Sequence, residues 1–151
     1  MRTKRELNAD MAAFGVEYAK KELNLSEVNV GFRPVANFNS IEEPAMYNST
    51  INCIIFNIDW LDSADHEDIL YISFISTHDA FKYDCLKNPK KYKVNTETIR
   101  NWKRDFNSIL TDKDDAYFEL STVKDGLDFA QTLMYKLVNE LESDAKKQGL
   151  I

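Results

Sequence analysis

The sequence predicts a single α+β domain, and three observations lead to this prediction. Four long segments carry apolar residues at helical spacing, and short strand-like segments lie together between the first and second of them. The chain has 151 residues, which is enough for one hydrophobic core and too few for two domains. We therefore expect residues 1–151 to fold as one unit.

The first helix is predicted from Thr3 to about Leu23. Its apolar residues form two adjacent stripes at steps of three and four, which is the pattern of a broad buried face. These stripes are Leu7, Met11, Phe14 and Tyr18, and Ala12, Val16, Ala19 and Leu23. Residues 27–35 then alternate between apolar and polar as a half-buried strand does, and Pro34 ends the strand.

A hairpin and a central helix are predicted next. Residues 45–47 and the β-branched run 51–58 form the two strands, and Asn48-Ser49 form the turn. Acidic and hydroxyl residues at 59–63 are typical of a helix start. The helix itself is predicted from about Ala64 to Leu86, and its apolar residues face several directions. This pattern indicates a helix that is buried on most sides.

Two further helices complete the predicted fold. Asn88-Pro89 breaks the central helix, and a second start at Asn95-Thr96 leads into a helical stripe that ends at the acidic residues 112–115. The last helix begins near Ser121. Its predicted packing stripe consists of Val123, Leu127, Ala130, Met134, Leu137 and Leu141.

Charge and composition exclude several classes of function. The net charge of −6 argues against a general phosphate-binding surface, so we expect no direct nucleic-acid ligand. No run approaches 18 apolar residues, and the charged first residues lack the apolar core of a signal peptide. Cys53 and Cys85 are too few for a secreted disulfide framework. We expect a cytoplasmic protein with two reduced thiols and no membrane partner.

One short motif has the spacing of a metal site. His78, Asp79 and Lys82 reproduce the positions of His-Glu-x-x-His within the central helix. In zinc peptidases of that pattern, two histidines four residues apart bind one metal ion, and the glutamate polarises the metal-bound water. Here the base is shortened to aspartate, and a lysine replaces the second ligand.

Other segments extend this likeness. They are residues 51–59, 75–83, 88–92 with the pattern Asn-Pro-x-x-Tyr, 97–106 around a tryptophan, and 117–130. On these pieces the chain resembles the minigluzincins, small gluzincin-like metallopeptidase-fold proteins of Gram-positive bacteria and their phages and mobile elements. The resemblance implies a zincin-like fold with an N-terminal helix, a small hairpin or sheet and then three helices, the central one buried.

The resemblance also implies that the metal site has been lost. The position of the third zinc ligand, a glutamate in such proteins, aligns with Val123, which cannot bind zinc. His78 remains as the one strong ligand, so we expect no metal, no cofactor and no catalysis. Two arrangements of the motif stay open. The ammonium of Lys82 pairs with Asp79 in the space of the former ion, or Lys82 extends to solvent and Asp79 is a surface acid.

The function we favour from sequence is protein binding by an inactive metallopeptidase-fold protein. Its partner would carry a basic surface, and one form would be a phage or mobile-element inhibitor of a host defence enzyme. The expected contact surface consists of Trp60, Asp62, Asp65, Glu67 and Asp68.

Two alternatives from other classes remain. One is a divergent zinc-dependent hydrolase in which His78 and Asp79 are joined by Glu119 or Asp125. The other is a structural domain that oligomerises through the stripe of the last helix.

Overall fold

The computed structural model describes residues 2–38, 42–111 and 121–150, with the backbone alone for 105–111 and 121–123. These residues form an α+β fold, as the sequence predicts. The elements are α1 (Lys4–Leu23), β1 (Asn29–Arg33), a 3₁₀ turn (Val35–Asn37), β2 (Ala45–Asn48), β3 (Cys53–Asn57), α2 (Ile58–Ser63), α3 (His66–Lys87), α4 (Thr96–Thr111) and α5 (Ser121–Lys147). The acidic residues 112–115, predicted to end α4, lie outside the described residues.

The sheet has the strand order β1-β3-β2, with β3 in the centre. The predicted hairpin is confirmed: β2 and β3 are antiparallel, and the side chain of Asn48 accepts a hydrogen bond from the Thr50 N–H at 3.0 Å in the turn. β1 joins the other edge in parallel, with Val30 opposite Ile54. Ile54 and Phe56 are fully buried because β3 is covered on both sides by neighbouring strands and by helices.

Helix α1 is present where predicted, and of its two predicted stripes the second is buried, at Ala12, Val16 and Ala19. The Thr3 hydroxyl caps the helix by accepting the Glu6 N–H at 3.2 Å. The small residues of α1 face the core, whereas Leu7 and Phe14 are about half exposed. Gly15 explains why small residues face the core. It meets Ser73 where α1 crosses α3, and larger side chains would not fit there.

Residues 59–63 do not begin the central helix, as the sequence suggested. They belong to the separate helix α2, whose N-cap is Asn57, and extended backbone at Ala64 ends it. The Asp65 side chain then caps α3 by accepting the Asp68 N–H at 2.8 Å. Four helices therefore follow the sheet within the described residues, where the resemblance implied three.

Helix α3 is the centre of the fold. It packs against α1, α4, α5 and the strands β2 and β3. Ten of its 22 residues are buried, including polar Ser73 and Thr77, whose hydroxyls donate to carbonyls one turn earlier at 2.7 Å. The prediction of a helix buried on most sides is confirmed.

The segment after α3 folds back against it. The hydroxyl of Tyr92 donates to Asp84 at 2.5 Å, and its ring meets Phe81 edge-on at 4.8 Å. Burial and the Asp84 carboxylate raise the pKa of Tyr92 to about 12. Lys91 also binds Asp84, at 3.0 Å. Tyr92 and Lys91 therefore hold this segment against α3.

Helix α5 begins at Ser121, as predicted, but the prediction of its packing stripe is partly wrong. The buried residues are Gly126, Ala130, Leu133 and Leu137. Leu141 is 59 % exposed, because it lies beyond the region where α5 packs on α3. Both cysteines are free and buried. No helix among the described residues is both long and apolar enough to cross a membrane.

Candidate functional site

His78 lies in an aromatic environment between α3, α4 and α5. Its ring stacks on Phe129 at 4.9 Å and meets Trp102 edge-on at 6.0 Å. The side chain is buried, and its Nδ1 atom has no hydrogen-bond partner among the described residues. Burial, assisted by the positive charge of Lys82, lowers the pKa of His78 to about 3. The imidazole is therefore neutral at physiological pH.

Lys82 lies one turn further along α3, and its side chain is only 4 % exposed. Its Nζ is 3.0 Å from Oδ1 of Asp79. Of the two arrangements left open by the sequence, the structure thus has the ion pair, and Lys82 does not extend to solvent. An ammonium in this setting is stable only when carboxylates or other acceptors replace its lost hydration.

Asp79 lies on the open side of this pair. Half of its side chain is exposed. Desolvation by the surrounding protein raises the pKa of the carboxyl, and the ammonium of Lys82 opposes the rise. Asp79 is thus held by a neighbouring cation.

Gly126 brings α5 against this motif. A methyl group at that position would lie 3.8 Å from His78 Nδ1 and 4.0 Å from Lys82 Nζ. The two nitrogen atoms therefore face the same small space beside α5. Position 123, predicted from the resemblance to match the third zinc ligand, lies one helical turn before Gly126 on the same helix.

Trp102 connects α4 to the same region. Its Nε1 donates to Oδ2 of Asp125 at 2.6 Å, and the indole is buried. Trp102 therefore belongs to the core. Because Asp125 accepts this hydrogen bond, one of its carboxylate oxygens is already occupied. Asp125 is therefore a weaker candidate for a metal ligand. Glu119, the other acid considered, lies outside the described residues.

These residues do not fit a zinc ion. A zinc site needs three or four converging donors, and the described part of the chain holds no group of three or more His, Cys, Asp or Glu residues that is suited to a metal. His78 contributes one neutral nitrogen. The nearby ammonium of Lys82 has no lone pair and repels a dication. The motif has the spacing of a metal site without its donor set.

The predicted contact surface is only partly available. Trp60 was expected in an exposed loop, but it lies on α2 and packs against the core. Asp62 accepts hydrogen bonds from the Arg5 guanidinium, one of them at 2.9 Å, and Asp65 is the cap of α3. Glu67 and Asp68 are exposed in the first turn of α3. The short amphipathic helix α2 explains the burial of Trp60.

Two residues of the site were not found from the sequence. Phe129 provides the surface on which His78 stacks, and Gly126 lies where α5 passes the motif. Gly126 had a detectable signal, since a glycine inside a strongly helical segment costs stability and usually has a packing reason. Phe129 had no such signal in the sequence, because it lies beside the predicted apolar stripe of α5.

Comparisons with protein-family models, with curated proteins and with solved structures find no match for this chain. The resemblance to small gluzincin-like proteins therefore stays a prediction that rests on the motif and its surroundings.

Proposed function

We propose that this protein is a non-catalytic relative of zinc peptidases that acts by binding another protein. The observation that carries the proposal is the ion pair between buried Lys82 and half-exposed Asp79, in the position where His-Glu-x-x-His would hold a metal ion and its catalytic base. The ammonium takes the place of the positive charge that a metal would supply. The pair also occupies the carboxylate that would otherwise activate water.

The charge of the chain indicates the kind of partner. A net charge of −6 favours association with a protein that carries a basic surface. A specific form of the proposal is an inhibitor from a phage or mobile element that covers the basic nucleic-acid groove of a defence enzyme. That form rests on net charge and on the resemblance.

The first test measures metal content and then rebuilds the site. We expect purified protein to carry far less than stoichiometric zinc and to stay folded in chelator. The triple variant Asp79→Glu, Lys82→His and Val123→Glu restores the ligand types of the peptidase pattern. It should bind zinc close to stoichiometrically, measured by elemental analysis and by isothermal titration.

The matched control adds His78→Ala to the triple variant, which should abolish the new zinc binding. A triple variant that folds but binds no zinc would show that position 123 does not face the motif, and the relation to zinc peptidases would be lost. Stoichiometric zinc in the unaltered protein, removed by His78→Ala, would contradict the proposal directly.

A divergent hydrolase is the second candidate, and one observation favours it. The Nδ1 atom of His78 is buried with no hydrogen-bond partner in the described part of the chain, and the imidazole is neutral, which is the protonation state a metal ligand requires. Asp79 lies beside it with half of its side chain exposed. The zinc measurement on unaltered protein separates the two candidates.

A further inference from the structure

An open apolar groove lies between α3 and α5, away from the His78 motif. Its volume is about 680 Å³, and α3 and α5 form its two walls. Its lining is Glu67, Leu70, Tyr71, Gln131, Met134, Tyr135 and Val138. We call this surface the α3–α5 groove.

The apolar side chains of this region are unusually exposed. Tyr135 is 66 % exposed, Val138 44 % and Leu141 59 %, and they follow one another at steps of three along α5. Exposed apolar residues scattered singly are ordinary on a protein surface, whereas a contiguous row indicates a binding surface. Of the other large exposed hydrophobic residues of the described chain, Leu7 and Phe14 lie on α1, and Ile51 and Leu150 lie outside the helices.

Carboxylates flank the groove on both sides. Asp128 lies seven residues before Tyr135 on α5 and Glu142 seven residues after it, so the three share one face of the helix. Glu67 lies on the opposite wall. None of the ion pairs formed within the described residues involves these three carboxylates. The rim of the groove is therefore negative and available to a cation.

We propose that the α3–α5 groove binds an amphipathic helix of a partner protein, with apolar side chains in the groove and Lys or Arg residues against Glu67, Asp128 and Glu142. This inference rests on the proposed function and specifies its contact surface. Both walls are helices whose backbone groups are bonded internally, so the groove offers side-chain contacts and no sheet edge. A helix with apolar residues at i, i+3, i+4 and i+7 matches such a groove.

A second copy of this chain fits the groove less well than a basic helix. The row on α5 carries Asp128 and Glu142 at its ends, and pairing two such rows would bring like charges together. The net charge of −6 on each copy adds to this repulsion. Charge complementarity therefore selects a cationic partner.

The test uses a fluorescein-labelled peptide of about 18 residues, roughly five helical turns, with Leu on one face and Lys on the other. Binding to the full chain is followed by fluorescence anisotropy. Two control peptides accompany it: a scrambled sequence of identical composition, and a version with Glu in place of Lys. We expect the amphipathic Leu/Lys peptide to bind at least about tenfold more tightly than either control.

Paired variants locate the binding site. The double variant Tyr135→Ser/Val138→Ser should weaken peptide binding about tenfold, because it removes the exposed apolar contacts. Its control, Ile51→Ser/Leu150→Ser, changes two exposed apolar residues elsewhere and should leave binding unchanged. Glu67→Gln/Glu142→Gln should weaken binding and reduce its salt dependence, whereas Glu27→Gln/Glu97→Gln should not. Circular dichroism checks that each variant is folded.

Equal binding of the scrambled peptide, or equal losses in the groove variants and their controls, would overturn the inference. So would a dimer in light scattering that Tyr135→Ser/Val138→Ser converts to a monomer without any peptide binding, since a second copy would then cover the groove. If a native complex survives those substitutions, the α3–α5 groove is not its contact surface, and the proposed function still stands. Stoichiometric zinc in the unaltered protein would remove the proposed function itself.

Discussion

At the scale of single residues, His78 shows how strongly surroundings decide the chemistry of a side chain. The ring is enclosed by Phe81, Trp102 and Phe129, and it lies near the positive charge of Lys82. Both the aromatic enclosure and the neighbouring cation oppose protonation. A histidine that would ordinarily titrate near neutrality is therefore held neutral.

This lowered pKa predicts a loss of stability in mild acid. The unfolded chain binds a proton at His78 near its ordinary pKa of 6.5, while the folded protein does so only near 3. Stability is thus fully present above pH 6.5 and falls as the pH decreases from there toward 3. We expect the free energy of unfolding to decrease by about 2 kcal/mol between pH 7 and pH 5 from this group. Urea denaturation at each pH measures it.

The variant His78→Leu should abolish that pH dependence. Asp79, whose raised pKa acts in the opposite sense, is present in both proteins, so it largely cancels in the difference between them. His66→Gln is the matched control, because His66 is exposed in the first turn of α3. A pH dependence that His66→Gln removes and His78→Leu retains would contradict the assignment.

The sequence predicted the three motif residues and their spacing, since a helix places positions 78 and 82 one turn apart. It did not decide between an ion pair and a solvent-exposed lysine. That choice depends on which residues cover the helix. Phe129 and Gly126 do so, and they lie about 50 residues further along the chain.

At the scale of the elements, α3 is crossed by two helices, and a glycine lies at each crossing. Gly15 of α1 faces Ser73, and Gly126 of α5 faces His78 and Lys82. The clearance is very different at the two places. A methyl group at Gly15 would lie 2.6 Å from Ser73 Cβ, whereas one at Gly126 would lie 3.8 Å from its nearest neighbour among the described residues, His78 Nδ1.

Alanine substitutions should therefore have opposite effects. Gly15→Ala is expected to destabilise the protein by about 1–3 kcal/mol, because α1 and α3 must move apart. Gly126→Ala is expected to stabilise it by about 0.5–1 kcal/mol, because alanine has the higher helix propensity and the added methyl makes ordinary contacts. Chemical denaturation of both variants at neutral pH measures the difference. Destabilisation by both would mean that the approach of α5 is closer than described.

The positions of the helices could be predicted more reliably than their buried faces. Thr3 and Asp65 are caps with clear sequence signals, and Asn88-Pro89 marks the end of α3. The buried faces of α1 and α5 were partly wrong because apolar periodicity gives weight to large residues. A close helix crossing selects small ones, so Gly15 is buried while Leu7 is exposed.

At the scale of the whole molecule, the two cysteines report on opening of the core. Cys53 lies on the central strand and Cys85 near the end of α3, with 8 % and 1 % of their surfaces exposed. Burial raises the pKa of Cys53, and burial together with Asp84 raises the pKa of Cys85 to about 11. Both thiols are therefore expected to be unreactive in the native state.

We expect both thiols to react with Ellman's reagent far more slowly in the native protein than in denaturant. The higher pKa alone lowers the thiolate fraction of Cys85 about 100-fold relative to its ordinary value. The variant Cys85→Ala reports the reactivity of Cys53 by itself. Rapid native labelling of Cys85 would show that the segment after α3 opens without global unfolding.

The position of β1 in the sheet could not be predicted from the sequence. Adjacent strands joined by a short turn form a hairpin, so the pairing of β2 with β3 followed from Asn48 and its neighbours. The alternating pattern of β1 indicated a strand but gave no partner. Its parallel register beside β3 depends on how α1 and the loop after β1 pack, and local periodicity contains no information about either.

The mixed sheet also has a consequence for the order of folding. The hairpin closes over a short turn, and such local pairing forms within microseconds. The pairing of Asn29 with Cys53 must instead bring together distant parts of the chain, at a larger cost in loop entropy. The hairpin is thus expected to act as the template on which β1 assembles, and the amino-terminal part of the chain completes the native state last.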